Sequence, residues 1–220
     1  EIQNRISVSA EKSNRNTVDI TLIAVTKGFP VAAMESALSA NIITLGESRV
    51  FETEKKITFL KNRKSIEIHM IGHLQSNKVK KALDLYDVIQ TVDSVKLAKK
   101  ISTLAKQKGI IQSIYLQVNS GKDPLKHGFS KNETIVASLE IAQMSNLKIE
   151  GIMMIPPYIE MDSGYRSIYS QTRELRDQIV AEGILSCTNL SMGMSRDFEL
   201  AVEEGATHVR IGTALFGTRR

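Results

Sequence analysis

Residues 19–30 read DITLIAVTKGFP. The run from Ile20 to Val25 is apolar and partly β-branched, the composition of a buried strand. Lys27 stands just beyond its C-terminal end, and Gly28 and Pro30 then turn the chain. A doubly wound open sheet carries a glycine-rich phosphate loop after its first strand. The turn here is TKGFP, with one glycine. That favours a closed barrel of alternating strands and helices.

The rest of the chain repeats the same unit. EIQNRISVSAEK reads as an opening amphipathic helix. After DITLIAV come the strands IITLG, IEIHMIG, DVIQTV, SIYLQVN, KIEGIMMI, NLSMG and THVRIG. Helices are expected between them at Val31–Ala40, Val50–Asn62, Asn77–Leu85, Ser94–Lys108, Asn132–Met144, Gly164–Glu182 and Ser195–Glu204. The strands are apolar on both faces, as parallel strands covered by helices should be. Eight such units in 220 residues suit an α/β fold, a single-domain (β/α)₈ barrel spanning residues 1–220.

Composition removes several function classes. No apolar run reaches the ~18 residues of a membrane span. Cys187 is the only cysteine, which excludes a disulfide framework and fits a reducing, cytoplasmic setting. The net charge of +5 comes from lysines scattered over helix faces, as in KLAKKISTLAKQK, with no aromatic platform among them. That is a solvated surface and not a nucleic-acid footprint, although it suits an anionic small ligand.

In such barrels the working face lies at the C-terminal ends of the strands. Lys27 falls there, as do His69, His73, Asn119, Met192–Ser195 and Arg210–Thr213. A lysine at a barrel mouth is a candidate nucleophile toward carbonyls, against the plain alternative of a packed stem with its head in water. Loops after the seventh and eighth strands of these barrels often hold phosphate. Here they read GMSRDFE and RIGTALFG. Ser195 is expected at a helix start, with Gly212 and Thr213 at another, so that N–H groups and hydroxyls form a cup for a dianion. Arg210 lies within THVRIG, where a charged side chain must face the barrel interior or be tightly paired. An amine, a phosphate cup and an arginine opposite a ring nitrogen describe a pyridoxal 5'-phosphate (PLP) site.

These residues also carry a resemblance. AVTK, LGES, HMIGHLQSNK, TVDS, QVN, KHGF, GIMMIPP and the long block LSMGMSRDFELAVEEGATHVRIGTALFG resemble the pyridoxal phosphate homeostasis proteins. That family's fold is similar to the N-terminal barrel of alanine racemases. The resemblance implies that Lys27 holds PLP as a Schiff base (an aldimine), that Arg210 faces the pyridine nitrogen, and that Ser195, Gly212 and Thr213 hold the phosphate. Two positions depart from the family pattern. Ser48 replaces the asparagine usual after GE and is left out of the site. Phe29 stands where a second lysine is common, which removes lysine-to-lysine transfer.

His69 and His73 are four apart, but on a strand and its turn they show no third ligand, so no metal is assigned. Both are read as polar residues lining the barrel mouth. Lys78 and Lys126 are read as surface lysines, and VNSGKD as a turn too poor in glycine for a nucleotide loop.

Two classes of function remain: a PLP carrier that serves cofactor homeostasis, and a PLP-dependent racemase-like enzyme. A permanently charged arginine weakens the ring as an electron sink. The chain also ends soon after the eighth strand, whereas the racemases complete their sites with a further domain. The expectation is therefore a monomeric carrier without strong turnover, delivering PLP to dependent apo-enzymes.

Overall fold

The alternation of strands and helices is realised in the computed structural model, which describes residues 1–60, 63–119 and 127–218. Strands β1 (Thr21–Val25), β2 (Thr44–Glu47), β3 (Glu67–Met70), β4 (Val88–Val92), β5 (Gln112–Val118), β6 (Leu147–Met154), β7 (Asn189–Ser191) and β8 (His208–Ile211) are all parallel. They close in chain order into one barrel. The seam pairs Thr21 with His208 and Ile23 with Arg210, so the last strand lies directly beside the first.

Around the barrel run α1 (Ile2–Lys12), α2 (Val31–Ser39), α3 (Val50–Ile57), α4 (Val79–Leu85), α5 (Val95–Lys108), α6 (Lys131–Ala142), α7 (Asp162–Ala181), α8 (Phe198–Glu203) and α9 (Thr213–Phe216). Local sequence explains their ends. Ser94 caps α5 by accepting the Leu97 N–H at 3.2 Å, and left-handed Gly109 stops it. Ser130 and Glu133 form a reciprocal capping box at α6. Along α5 the buried side chains Leu97, Ala98, Ile101 and Ala105 make one stripe facing the strands. No helix among the described residues is long and apolar enough to cross a membrane.

Most of the apolar core lies between the strands and the helices. The barrel interior differs. It holds a small apolar cluster of Val88, Tyr115 and Met153, beside a chain of buried polar side chains. Arg210 Nη1 donates to Ser191 Oγ at 2.8 Å, and Ser191 Oγ donates to Gln90 Oε1 at 2.7 Å. The Gln90 amide in turn meets His69 Nδ1 at 2.6 Å. These residues come from β8, β7, β4 and β3. Because β4 and β7 are not neighbours, the Ser191–Gln90 bond must cross the barrel axis. Burial demands such partners, and within this network His69 Nε2 alone has none.

Two expected helix boundaries move by three residues or more. Helix α3 ends at Ile57, short of Asn62, which lies outside the described residues. Helix α8 begins at Phe198 and not at Ser195. The intervening residues form a turn in which the Asp197 and Phe198 N–H groups donate to the Met194 carbonyl at 3.0 and 2.9 Å. The Asp197 carboxylate closes it by accepting the Met194 N–H at 2.6 Å. Asp197 is thus the residue at the helix start, and Ser195 sits within the turn before it. VNSGKD from Ser120 onward and Lys126 also lie outside the described residues.

Candidate functional site

Lys27 leaves β1 on a backbone that is clamped on both sides. Thr26 is buried, and its Oγ1 donates to Glu47 Oε1 at 2.7 Å. Lys56 Nζ reaches under the loop and donates to the Thr26 carbonyl and to Glu47 Oε1, each at 2.9 Å. It also pairs with Glu52 at 2.5 Å, and Glu52 Oε1 accepts the Gly28 N–H at 2.7 Å. The peptide groups flanking Lys27 are therefore tied to one buried charge cluster. Burial pulls both carboxyls upward. It prevails at fully enclosed Glu47, whose pKa lies above the ordinary range. At Glu52 the bonds from Lys56 and Gly28 prevail, and its pKa lies below it.

Removing one partner of such a buried set strands the other, at a cost of roughly 3–5 kcal/mol. Lys56→Met is expected to lower unfolding stability by about that much in chemical denaturation. The double variant Lys56→Met/Glu47→Gln should recover part of it. Equal stability of Lys56→Met and the parent would mean that the cluster does not hold the loop.

The structure brings all five candidate residues to one place. Lys27, Ser195, Arg210, Gly212 and Thr213 line a single cavity of about 420 Å³ at the C-terminal mouth of the barrel. That volume falls in the range of small-molecule sites, roughly 300–1,000 Å³. Lys27 is half-buried, Gly212 and Arg210 are buried, and Thr213 is exposed at the rim.

Arg210 forms the floor. Besides Ser191, its guanidinium donates to the Met154 carbonyl at 2.7 Å. Burial lowers its pKa to about 10, partly offset by Tyr169 and Asp197, so it remains a cation at neutral pH. One pleat below it, His208 meets Tyr115 Oη at 3.4 Å. Burial holds the His208 pKa down to about 3, so this imidazole is neutral. The charge beneath the cavity therefore belongs to Arg210.

The loops after β7 and β8 meet on the far side. Gly193 has φ +90°, and a Cβ there would fall 2.5 Å from Ala201 Cβ, so glycine alone lets this loop pass. Ser195 Oγ accepts the Ala214 N–H of α9 at 3.3 Å. Gly212, which precedes α9, offers no side-chain cap of its own. Two hydroxyls and the start of α9 thus face one cavity. Phe29 packs on Phe216 with ring centroids 5.4 Å apart, which joins the Lys27 loop to α9.

His69 corrects the sequence reading. It was expected at the mouth, but it is buried in the barrel and bonded to Gln90. Strand alternation is the reason: residues 69, 71 and 73 share the inward face of β3 and its extension. Ile71 reaches the main cavity. His73 and Asn119 line a smaller one of about 260 Å³ that also includes Lys27. Ser48 lies against Gly72, where an added Cβ would fall 2.4 Å from the Ser48 carbonyl oxygen. Lys78 is exposed, in a 3₁₀ turn ahead of α4. Cys187 is buried, and desolvation pushes its thiol up to about 12, so it is chemically quiet.

Met194, within the stretch expected at the mouth, lines the cavity, but several other lining residues escaped the sequence reading: Ile155, Pro156, Tyr158, Tyr165 and Arg196. The Pro156–Pro157 pair after a long apolar strand was a usable signal for the first of these. Tyr165 had none, because it reaches the cavity from the first turns of α7.

The chain matches the model of the alanine racemase N-terminal domain over residues 2–220. It is 37% identical to the pyridoxal phosphate homeostasis protein of Aquifex aeolicus over 216 residues, which cover 98% of this chain and 94% of that one. The protein of the same name from Escherichia coli is 30% identical over 225 residues, covering 100% and 94%. Among solved structures, PipY of Synechococcus elongatus with PLP bound superposes with a TM-score of 0.86 at 33% identity, covering 99% and 100%. An alanine racemase of Clostridium difficile superposes at 0.77 with 17% identity, covering 98% of this chain and 55% of that one, which is a likeness of fold.

Proposed function

Since the chain belongs to the family of pyridoxal phosphate homeostasis proteins, we propose that it binds PLP at the barrel mouth and serves PLP homeostasis without strong turnover. The observation that carries this reading is the convergence of Lys27, Arg210, Ser195, Gly212 and Thr213 on one cavity. The donor set fits the group. PLP offers an aldehyde, a ring nitrogen and a phosphate dianion, and when bound it supplies an electrophilic carbon and a conjugated ring. Lys27 provides the amine for the aldehyde. Ser195 and Thr213, beside the start of α9, provide hydroxyl donors for the phosphate. Related PipY, 33% identical, was solved with PLP bound.

Arg210 favours holding over turnover. A guanidinium only donates hydrogen bonds. Opposite a ring nitrogen it keeps that nitrogen an unprotonated acceptor, and an uncharged ring draws electrons weakly. Its bonds to Ser191 and Met154, which hold the guanidinium at the cavity floor, support that reading. Release of the cofactor to PLP-dependent apo-enzymes is the delivery step this reading implies.

The test is hydrogen–deuterium exchange at the α-carbon of alanine, with cofactor saturation followed spectroscopically. Almost no exchange above free PLP is expected. Rapid exchange would replace the carrier reading with that of a racemase-like enzyme.

A further inference from the structure

The protein has four histidines, and the structure separates them into two pairs. His69 and His208 lie within the barrel, with ring centroids 6.0 Å apart. His73 and His127 come together at the rim, stacked at 4.0 Å with planes 15° apart. Asp93, from the loop after β4, faces both. Its Oδ2 lies 3.1 Å from His73 Nδ1 and 3.7 Å from His127 Nδ1. Ligand atoms of all three residues lie within 4.8 Å of one another.

We propose that His73, Asp93 and His127 form a binding site for a divalent transition-metal ion of the zinc class. Two imidazoles and one carboxylate are a donor set that suits zinc. The spacing also fits. A tetrahedral ion with bonds of roughly 2.0–2.1 Å separates its ligand atoms by about 3.3 Å, and the two measured separations, 3.1 and 3.7 Å, bracket that edge.

The carboxylate is the fixed member. The Asp93 side chain is 11% exposed, against 44% for His73 and 60% for His127. Parallel stacked rings cannot both direct in-plane lone pairs at one ion. The rings therefore open from the stack on binding, by rotation about the soft terminal torsion that exposed imidazoles retain. Without an ion, both Nδ1 atoms face the same oxygen, and only the shorter contact is a hydrogen bond.

Three protein ligands leave a tetrahedral ion one open position. Both imidazoles line the 260 Å³ cavity that also contains Lys27, Gln117 and Asn119. The open position is thus available to water or to an anionic group entering beside Lys27. The site is independent of the PLP reading, since none of its three ligands lines the larger cavity.

The test uses the full chain, freed of PLP and of metal by a chelator, and titrated calorimetrically with zinc chloride. A saturable site taking one zinc per chain is expected. His73→Ala, His127→Ala and Asp93→Asn should each weaken binding at least tenfold, because losing a ligand costs no less than losing its supporting shell, roughly 10–100-fold. Cobalt(II) supplies a second readout. It should give the intense visible bands of a tetrahedral ion in the parent and lose them in His127→Ala. Both imidazoles are exposed, so the variants should fold, and unchanged thermal unfolding verifies this. Zinc affinity within twofold of the parent in the His73→Ala/His127→Ala double variant would mark the binding as adventitious and overturn the site. Absence of saturable binding by the parent would overturn it equally.

Discussion

Replacing Lys27 with alanine is expected to abolish covalent retention of PLP. After borohydride reduction and proteolysis, the parent should carry pyridoxyl mass on the peptide containing Lys27, and the variant should carry none anywhere. The prediction rests on placement. Lys27 is half-buried in the mouth cavity, on a loop whose flanking peptide groups are tied to Lys56 and Glu52. Lys56 itself cannot substitute, since its ammonium is enclosed among Thr26, Glu47 and Glu52. Lys78 lines neither cavity that includes Lys27. Label on Lys78 or Lys126 in the parent would sink the assignment. Thermal unfolding of the variant should match the parent, because a half-exposed side chain at a strand end contributes little to the core.

Pyridoxal without its phosphate is expected to bind on the order of a hundredfold or more weakly than PLP. Charge-assisted hydrogen bonds are worth roughly 1.5–3 kcal/mol each, and every 1.4 kcal/mol is about tenfold in affinity. Two such bonds, from the hydroxyls of Ser195 and Thr213, already reach that figure. The variants should differ. Ser195 Oγ already accepts the Ala214 N–H, so Ser195→Ala releases a backbone donor that can turn to the phosphate. Thr213→Val removes a rim hydroxyl with no such substitute and should cost more. Equilibrium titration of both ligands against the parent and the two variants measures this. Comparable affinities for PLP and pyridoxal would remove the phosphate cup from the site.

The clamp beneath Lys27 links these expectations to folding. Glu47 was visible in LGES and Lys56 in the helix that follows, yet nothing local joins them. They meet because β1 and β2 pair in register, Ala24 with Leu45 and Val25 with Gly46. That pairing sets Thr26 beside Glu47 and draws α3 over the loop. A lysine on an apparently amphipathic helix is ordinarily a surface lysine. Burial at 9% side-chain exposure is a property of the packed assembly alone.

The sequence by itself determined the barrel and brought five candidate residues to its mouth. Eight apolar, β-branched runs alternating with helical periodicity admit few architectures, because parallel strands need covering helices and short crossovers. The ends of those strands then name the mouth: Lys27, Ser195, Arg210, Gly212 and Thr213 were legible because strand termini are read from periodicity alone. Tertiary structure decided what depends on depth and on distance across the barrel. His69 and His73 look equivalent in sequence, four apart on one face. Each pair of residues along a strand rises about 7 Å, enough to bury His69 beneath Ile71 and leave His73 at the rim. Ser195 keeps its place in the cavity but not its helix start, because the Asp197 carboxylate captures the Met194 N–H first. Asp93 and His127 lie 20 and 54 positions beyond His73. Only closure of the strands in order, which sets the loops after β3, β4 and β5 side by side, makes them neighbours.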